Sequence, residues 1–213
     1  MLYSDFEIDA LREIGNIGAG NAATALSMLL SKKIIIKVPQ IRIIPFDEVS
    51  MSVGGPEKPV FGIFMRINGN IDGNILIIIS KQDAYNLVER LLNVKIDTSK
   101  ALSNMAESAL IELGNIVGSS YITALSELTK LSIKISVPSL AFDMAGAIIS
   151  FPLSLYGYLG DTAFLIDTEF IEGLDGITLH YLLVPDDESL KILLDAIGVN
   201  SIERNSPSRD GGI

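Results

Sequence analysis

"EIGNIGAGN" (residues 13–21) and "ELGNIVGSS" (residues 112–120) are two versions of one segment. Sliding the chain by 99 residues aligns 9–39 with 108–138 without a gap, and 15 of those 31 positions are identical. Chance on ordinary composition gives about two matches, so the chain is a tandem duplication, and a repeat of this kind decides the architecture. "TALS" recurs intact at 24–27 and 123–126. Later segments match more loosely. "VFGIFMRIN" (60–68) parallels "AFLIDTEF" (163–170), and "DGNILIIISKQDAYNLVERLLNV" (72–94) parallels "DGITLHYLLVPDDESLKILLDAIGV" (175–199).

Each copy reads as a long helix, three strands and a shorter helix. Gly-Asn, Gly-Gly-Pro and Asp-Gly signals between the strands favour hairpins and an antiparallel sheet. The expected fold is therefore α+β: two pseudo-two-fold-related α-β-β-β-α repeats sharing a mainly antiparallel sheet packed by helices. The repeats span about 5–99 and 100–200, within a single domain of residues 1–200. One copy's apolar sheet face is too large for its own two helices to cover, so the halves are expected to share a core. Ser4 or Asp5, and Ser103, are suited to cap the two long helices. The polar, Gly-containing segment 201–213 is expected to be a disordered tail.

The bulk composition excludes several function classes. Sixteen basic and 26 acidic residues give a net charge of −10, which repels phosphate backbones and anionic lipid, so neither nucleic acid nor membrane is an expected partner. There is no cysteine, hence no disulfide, thiolate nucleophile or Cys-based zinc site. His180, the sole histidine, lies in "ITLHYLLV" and is expected on a strand at or near the sheet surface. "MLYSDFEIDALREIG" carries acids where a signal peptide has a basic start and an apolar core. "MAGAIISFPLSLYGYLG" (144–160) is uncharged, but it falls short of the ~20 apolar residues of a spanning helix and contains Pro152, Gly157 and Gly160. Two buried strands and a turn are expected there, in a cytoplasmic protein.

At 100° per residue, Glu13 and Asn16 lie about 60° apart on one helix side, with Asp9 and Gly20 extending the stripe. Leu11, Ile14, Gly18, Ala22, Ala25, Leu26 and Leu29 gather on the opposite side as the core face. The second helix repeats this. Ser108, Glu112, Asn115 and Ser119 oppose Leu110, Leu113, Val117, Tyr121, Ala124 and Leu125. A mid-helix glycine costs about 1 kcal/mol relative to alanine. For Gly15 and Gly114, a close approach by a neighbouring element explains that cost. Asn16 and Asn115 have no such structural explanation, because an exposed helix site accepts Gln, Lys or Glu at lower cost. "GNIGAGN" is not a phosphate loop, since it lacks the Gly-Lys-Ser/Thr ending and lies within a helix, with no strand before it. Pro39 and Pro138 follow the helices within apolar strand patterns and mark an edge or a bend.

Asp9, Glu13, Asn16 and Pro39 follow the spacing Asp/Ser, three residues, Glu, two residues, Asn, 22 residues, Pro; Ser108, Glu112, Asn115 and Pro138 follow it again. This doubled pattern resembles the CheC/CheX/FliY family of chemotaxis response-regulator phosphatases over residues 5–199, and most of all its two-motif, CheC-type members. The resemblance implies hydrolysis of the aspartyl phosphate on a CheY-type regulator, with Glu13, Asn16, Glu112 and Asn115 as the catalytic set. It implies no cofactor bound by this chain, because the regulator supplies Mg²⁺ and a lysine. Asp9 and Ser108 are either supporting contacts or makers of local hydrogen bonds. A second reading, also from the resemblance, is an adaptor for the receptor deamidase CheD; a third, less supported, is a flagellar-motor component.

Overall fold

Duplication in the sequence becomes strand exchange in the structure. A computed structural model describes residues 5–31, 33–37, 39–156, 162–172 and 175–205. The first half runs through helix α1 (Asp5–Leu30), strands β1 (Ile35–Ile36) and β2 (Gln40–Pro45), a 3-10 turn, the short helix α2 (Val49–Ser52), strands β3 (Pro59–Gly69) and β4 (Gly73–Ser80), and helix α3 (Lys81–Leu92). The second half repeats it with α4 (Asn104–Thr129), β5 (Ile133–Ile135), β6 (Ser139–Met144), α5 (Ala145–Tyr156), β7 (Thr162–Glu172), β8 (Asp175–Pro185) and α6 (Asp187–Asn205).

The strands form one sheet in which every pairing is antiparallel: β1 and β2 lie on β7, followed by β8, β4 and β3, and β5 and β6 lie on β3. Each half thus lays its edge strands against the other half's hairpin, which explains why neither copy could close its core alone. The register is symmetric. Gln40 opposite Asp167 corresponds to Ser139 opposite Phe64, and Ile35 opposite Ile171 corresponds to Lys134 opposite Asn68. Ile77 faces Tyr181 in the central β4–β8 ladder, where the pseudo-two-fold axis passes.

Alternation along the strands sends two sets of side chains to two faces. Ile63, Met65, Ile75, Ile77, Ile79, Phe164, Leu179 and Tyr181 meet the buried sides of α1, α3, α4 and α6 in the larger core. Val60, Leu76, Ile78, Ala163, Leu165, Leu182 and Val184 meet α5 and the α2 segment on the other face. Burial on both faces accounts for the unbroken apolar run "ILIII" in β4. The Tyr121 ring of α4 stacks on Tyr181 with centroids 4.4 Å apart, and its hydroxyl meets Thr168 Oγ1 at 2.6 Å. Burial pushes the Tyr121 phenol up to about 12 and that of Tyr181 well above its ordinary value.

Three expectations need correction. The uncharged run at 144–160 forms helix α5 rather than two strands. Ala145, Ile148 and Ile149 have helical spacing and are buried against the sheet, but Ala147 and Phe151 on the exposed side are apolar too and mask the period. Pro152 lies inside this helix. A helical proline costs about 3 kcal/mol, and burial of Ile148 and Ile149 at about 1.5–3 kcal/mol each offsets that. Second, the strand after each long helix is split in two at Pro39 and Pro138, so each proline sits between edge-strand segments. Third, Leu29, expected on the core face, is 48% exposed. Ser103 caps α4, its side chain accepting from the Ala106 N–H; Ser4 lies outside the described residues. Helix α6 extends to Asn205, into the expected tail, and 206–213 lie outside the described residues. Among the described residues no helix is long and apolar enough to cross a membrane.

Candidate functional site

The site is built by the two long helices and by the glycines that seat them. On α1, Leu11, Ile14, Gly15, Gly18, Ala22 and Leu26 are buried, leaving Asp9, Glu13, Asn16 and Gly20 exposed along one stripe. On α4, Leu110, Leu113, Gly114, Val117, Tyr121 and Leu125 are buried, while Ser108 and Glu112 are exposed and Asn115 and Ser119 are half-buried. All four Glu and Asn residues of the two motifs therefore lie on the side away from the core. Among the described residues, no side-chain hydrogen bond or ion pair engages Glu13, Asn16, Glu112 or Asn115.

Each asparagine follows a glycine packed closely against the sheet. A Cβ on Gly15 would collide with Ile41 of β2, and one on Gly114 would come within 2.5 Å of Ile63 Cγ2 of β3. The sheet thus rises directly beneath the backbone that carries the carboxamide. With the helix pinned from below, the Glu–Asn pair one turn apart is held in a fixed relative position on a rigid element. The two pairs lie on separate helices, α1 and α4, related by the pseudo-two-fold.

The two sites differ at their margins. Asp9 Oδ1 accepts from Arg12 Nη1 at 2.9 Å, across an exposed turn of α1. The corresponding Ser108 turns its hydroxyl back to the Asn104 carbonyl at 2.8 Å, and Ile111 stands in the place of Arg12. Both proposed supporting residues are thus already satisfied within their own helix. Pro39 is buried beside α1, its Cγ 3.8 Å from where a Cβ on Gly15 would sit, and Pro138 is half-buried.

One polar cluster escaped the sequence reading. Asp167 of β7 accepts from Arg42 of β2 at 2.6 Å and meets His180 Nδ1 of β8 at 2.6 Å, on the face opposite the long helices. Desolvation raises the Asp167 carboxyl, but hydrogen bonds from His180 and Arg42 outweigh it and hold the group below the ordinary range. The only signal was alternation, Asp167 and Glu169 two apart in the strand TAFLIDTEFIE. Their partners became visible only with the strand exchange. Among the described residues no three His, Cys, Asp or Glu side chains cluster as a metal site.

Residues 6–43 and 105–141, the two helix-and-strand segments that carry the motifs, match the model of the CheC-like family. The CheY-P phosphatase CheC of Bacillus subtilis is 37% identical over 198 residues, which cover 91% of this chain and 95% of that one. The chain belongs to the CheC-like family. Its fold is shared by Thermotoga maritima FliY, at a TM-score of 0.76 and 23% identity, covering 94% of this chain and 100% of that chain. CheX in its complex with CheY, BeF3 and Mg²⁺ from Borrelia burgdorferi superimposes with a TM-score of 0.51 at 17% identity, covering 80% of the CheC-like chain and 96% of its own. These two structural likenesses are of fold; the family rests on the sequence relative.

Proposed function

We propose that this CheC-like protein hydrolyses the aspartyl phosphate of a CheY-type response regulator at two sites, Glu13–Asn16 and Glu112–Asn115. The observation that carries this reading is the twice-repeated Glu–Asn pair, outward-facing on a glycine-seated helix and without intramolecular partners among the described residues. Neutral carboxamides suit the task. One N–H donor and one C=O acceptor hold a water in line behind phosphorus without adding negative charge beside the phosphoryl group. The water oxygen bonds to phosphorus, the regulator's carboxylate oxygen departs with the electron pair, and the water's proton leaves with phosphate or solvent. Mg²⁺ in the regulator's own pocket supplies charge neutralisation, and the chain needs no metal of its own.

Glu13 and Glu112, a turn before each Asn, fit a docking role. A carboxylate presented to a regulator lysine forms a charge-assisted contact, which brings the carboxamide to the phosphoryl group. Hundredfold acceleration takes only about 2.7 kcal/mol off the barrier, within the reach of positioning alone. The test is release of phosphate from a phosphorylated regulator with wild-type protein and with N16A/N115A; wild-type rates in the double variant contradict the reading.

A second reading, an adaptor for CheD, draws on exposed apolar side chains remote from the stripes. Met51 and Phe151 are 69% and 49% exposed on α2 and α5, the elements that cover the face of the sheet opposite α1 and α4. CheD retained by N16A/N115A but lost in M51D/F151D would support this surface; retention by both variants would remove it.

A further inference from the structure

Four residues before the catalytic carboxamide, the two motifs carry different chemistry: Arg12 precedes Asn16, and Ile111 precedes Asn115. Side chains at i and i+4 stack on one helix face, so a guanidinium adjoins one carboxamide and a sec-butyl group the other. Arg12 Nη1 lies 2.9 Å from Asp9 Oδ1, with the two side chains 61% and 70% exposed. A pair this open to water contributes little to folding, so the guanidinium can exchange Asp9 for a stronger anion at small cost. At the second site Ser108 is folded back onto the Asn104 carbonyl and Ile111 is half-buried, so neither corresponding position offers a cation.

We propose that Arg12 leaves Asp9 when the regulator docks and donates to the phosphoryl oxygens beside Asn16, giving the first site a catalytic contact that the second lacks. The planar fork of a guanidinium matches phosphoryl oxygens. Its charge counts most as negative charge spreads over those oxygens in the transition state. The first site then combines water positioning with charge stabilisation, while the second works by positioning alone. This inference rests on the phosphatase reading above and adds to it a residue outside the Glu–Asn motif.

Two single-site proteins test it, with a CheY-type regulator charged by acetyl phosphate and Mg²⁺ as the probe. N115A leaves the Arg12 site, and N16A leaves the Ile111 site. In N115A, Arg12→Ile is expected to lower kcat about tenfold, Arg12→Lys to fall between, and the salt dependence of the rate to flatten with the Ile variant. In N16A, Ile111→Arg is expected to raise the rate and to bring salt dependence. Equal kcat for N115A with and without Arg12 overturns the proposal. So does an N115A protein with no acceleration at all, since the guanidinium would then sit at an idle site. A merely structural role lowers the melting temperature without changing the salt slope, and that result also counts against it. Full activity in N16A/N115A is a separate outcome, which removes the phosphatase sites themselves.

Discussion

Gly18 of α1 lies so close against Tyr121 of α4 that a Cβ on the glycine would sit 2.5 Å from the ring carbon Cδ1 and 3.0 Å from the Tyr121 Cα. The second distance matters more, because a ring can turn aside but a helix backbone cannot. Gly18→Ala gains about 1 kcal/mol of helix propensity but overpacks a core contact at about 1–3 kcal/mol. It is expected to destabilise the protein by roughly 1 kcal/mol. At Gly20, two residues on, a Cβ would meet nothing within 4 Å. Gly20→Ala is expected to stabilise by up to about 1 kcal/mol. Urea unfolding of the two variants checks the opposite signs; both stabilising would mean the helices can separate without penalty.

The Arg42–Asp167–His180 cluster ties edge strand β2 to the second half's hairpin, and it makes stability depend on acid. The Asp167 carboxyl is held below the ordinary value of 3.8. Its contribution is therefore fully present above the unfolded-state value and is lost as pH falls through the lower folded value. Asp167→Asn is expected to be less stable than wild type at pH 7, with the gap closing below about pH 4. Denaturation midpoints measured from pH 7 down to pH 2 give the comparison, and a gap that widens with acid contradicts the sign.

Charge at the carboxamide position separates positioning from packing. Asn16→Asp in N115A, and Asn115→Asp in N16A, place a carboxylate against the anion while barely changing shape. Each is expected to lose essentially all remaining acceleration, with unfolding midpoints near those of the parent.

Docking and chemistry should divide between the members of each pair. Glu13→Gln with Glu112→Gln removes both docking charges and keeps both carboxamides. KM for the phosphorylated regulator is expected to rise about tenfold with kcat little changed. A fall in kcat with KM unchanged would instead assign the glutamates to the chemical step.

How much was legible beforehand follows from which interactions are local. The stripe of Glu13 and Asn16 opposite Leu11, Ile14 and Gly18 depends only on helical period, and it was readable from the chain. So was the doubling, because the copies keep their register without a gap. The pairing of Gln40 with Asp167 was not, because an antiparallel edge strand carries no local mark of which half's hairpin it joins. The Asp167 cluster shared that obscurity, since its members are brought together only by the exchange. Helix α5 was misread because a helix apolar on both sides shows no period. Arg12 was visible as a difference between the copies, but its engagement with Asp9 needed the structure.

The most direct measurement is the rate of phosphate loss from an acetyl-phosphate-charged CheY-type regulator, in Mg²⁺, with wild-type protein and with N16A/N115A at equal concentration. The wild type is expected to accelerate the loss strongly, the double variant not at all above the regulator's own rate, and the two unfolding midpoints to match. Acceleration undiminished in a folded N16A/N115A protein would contradict the proposed role of the two asparagines.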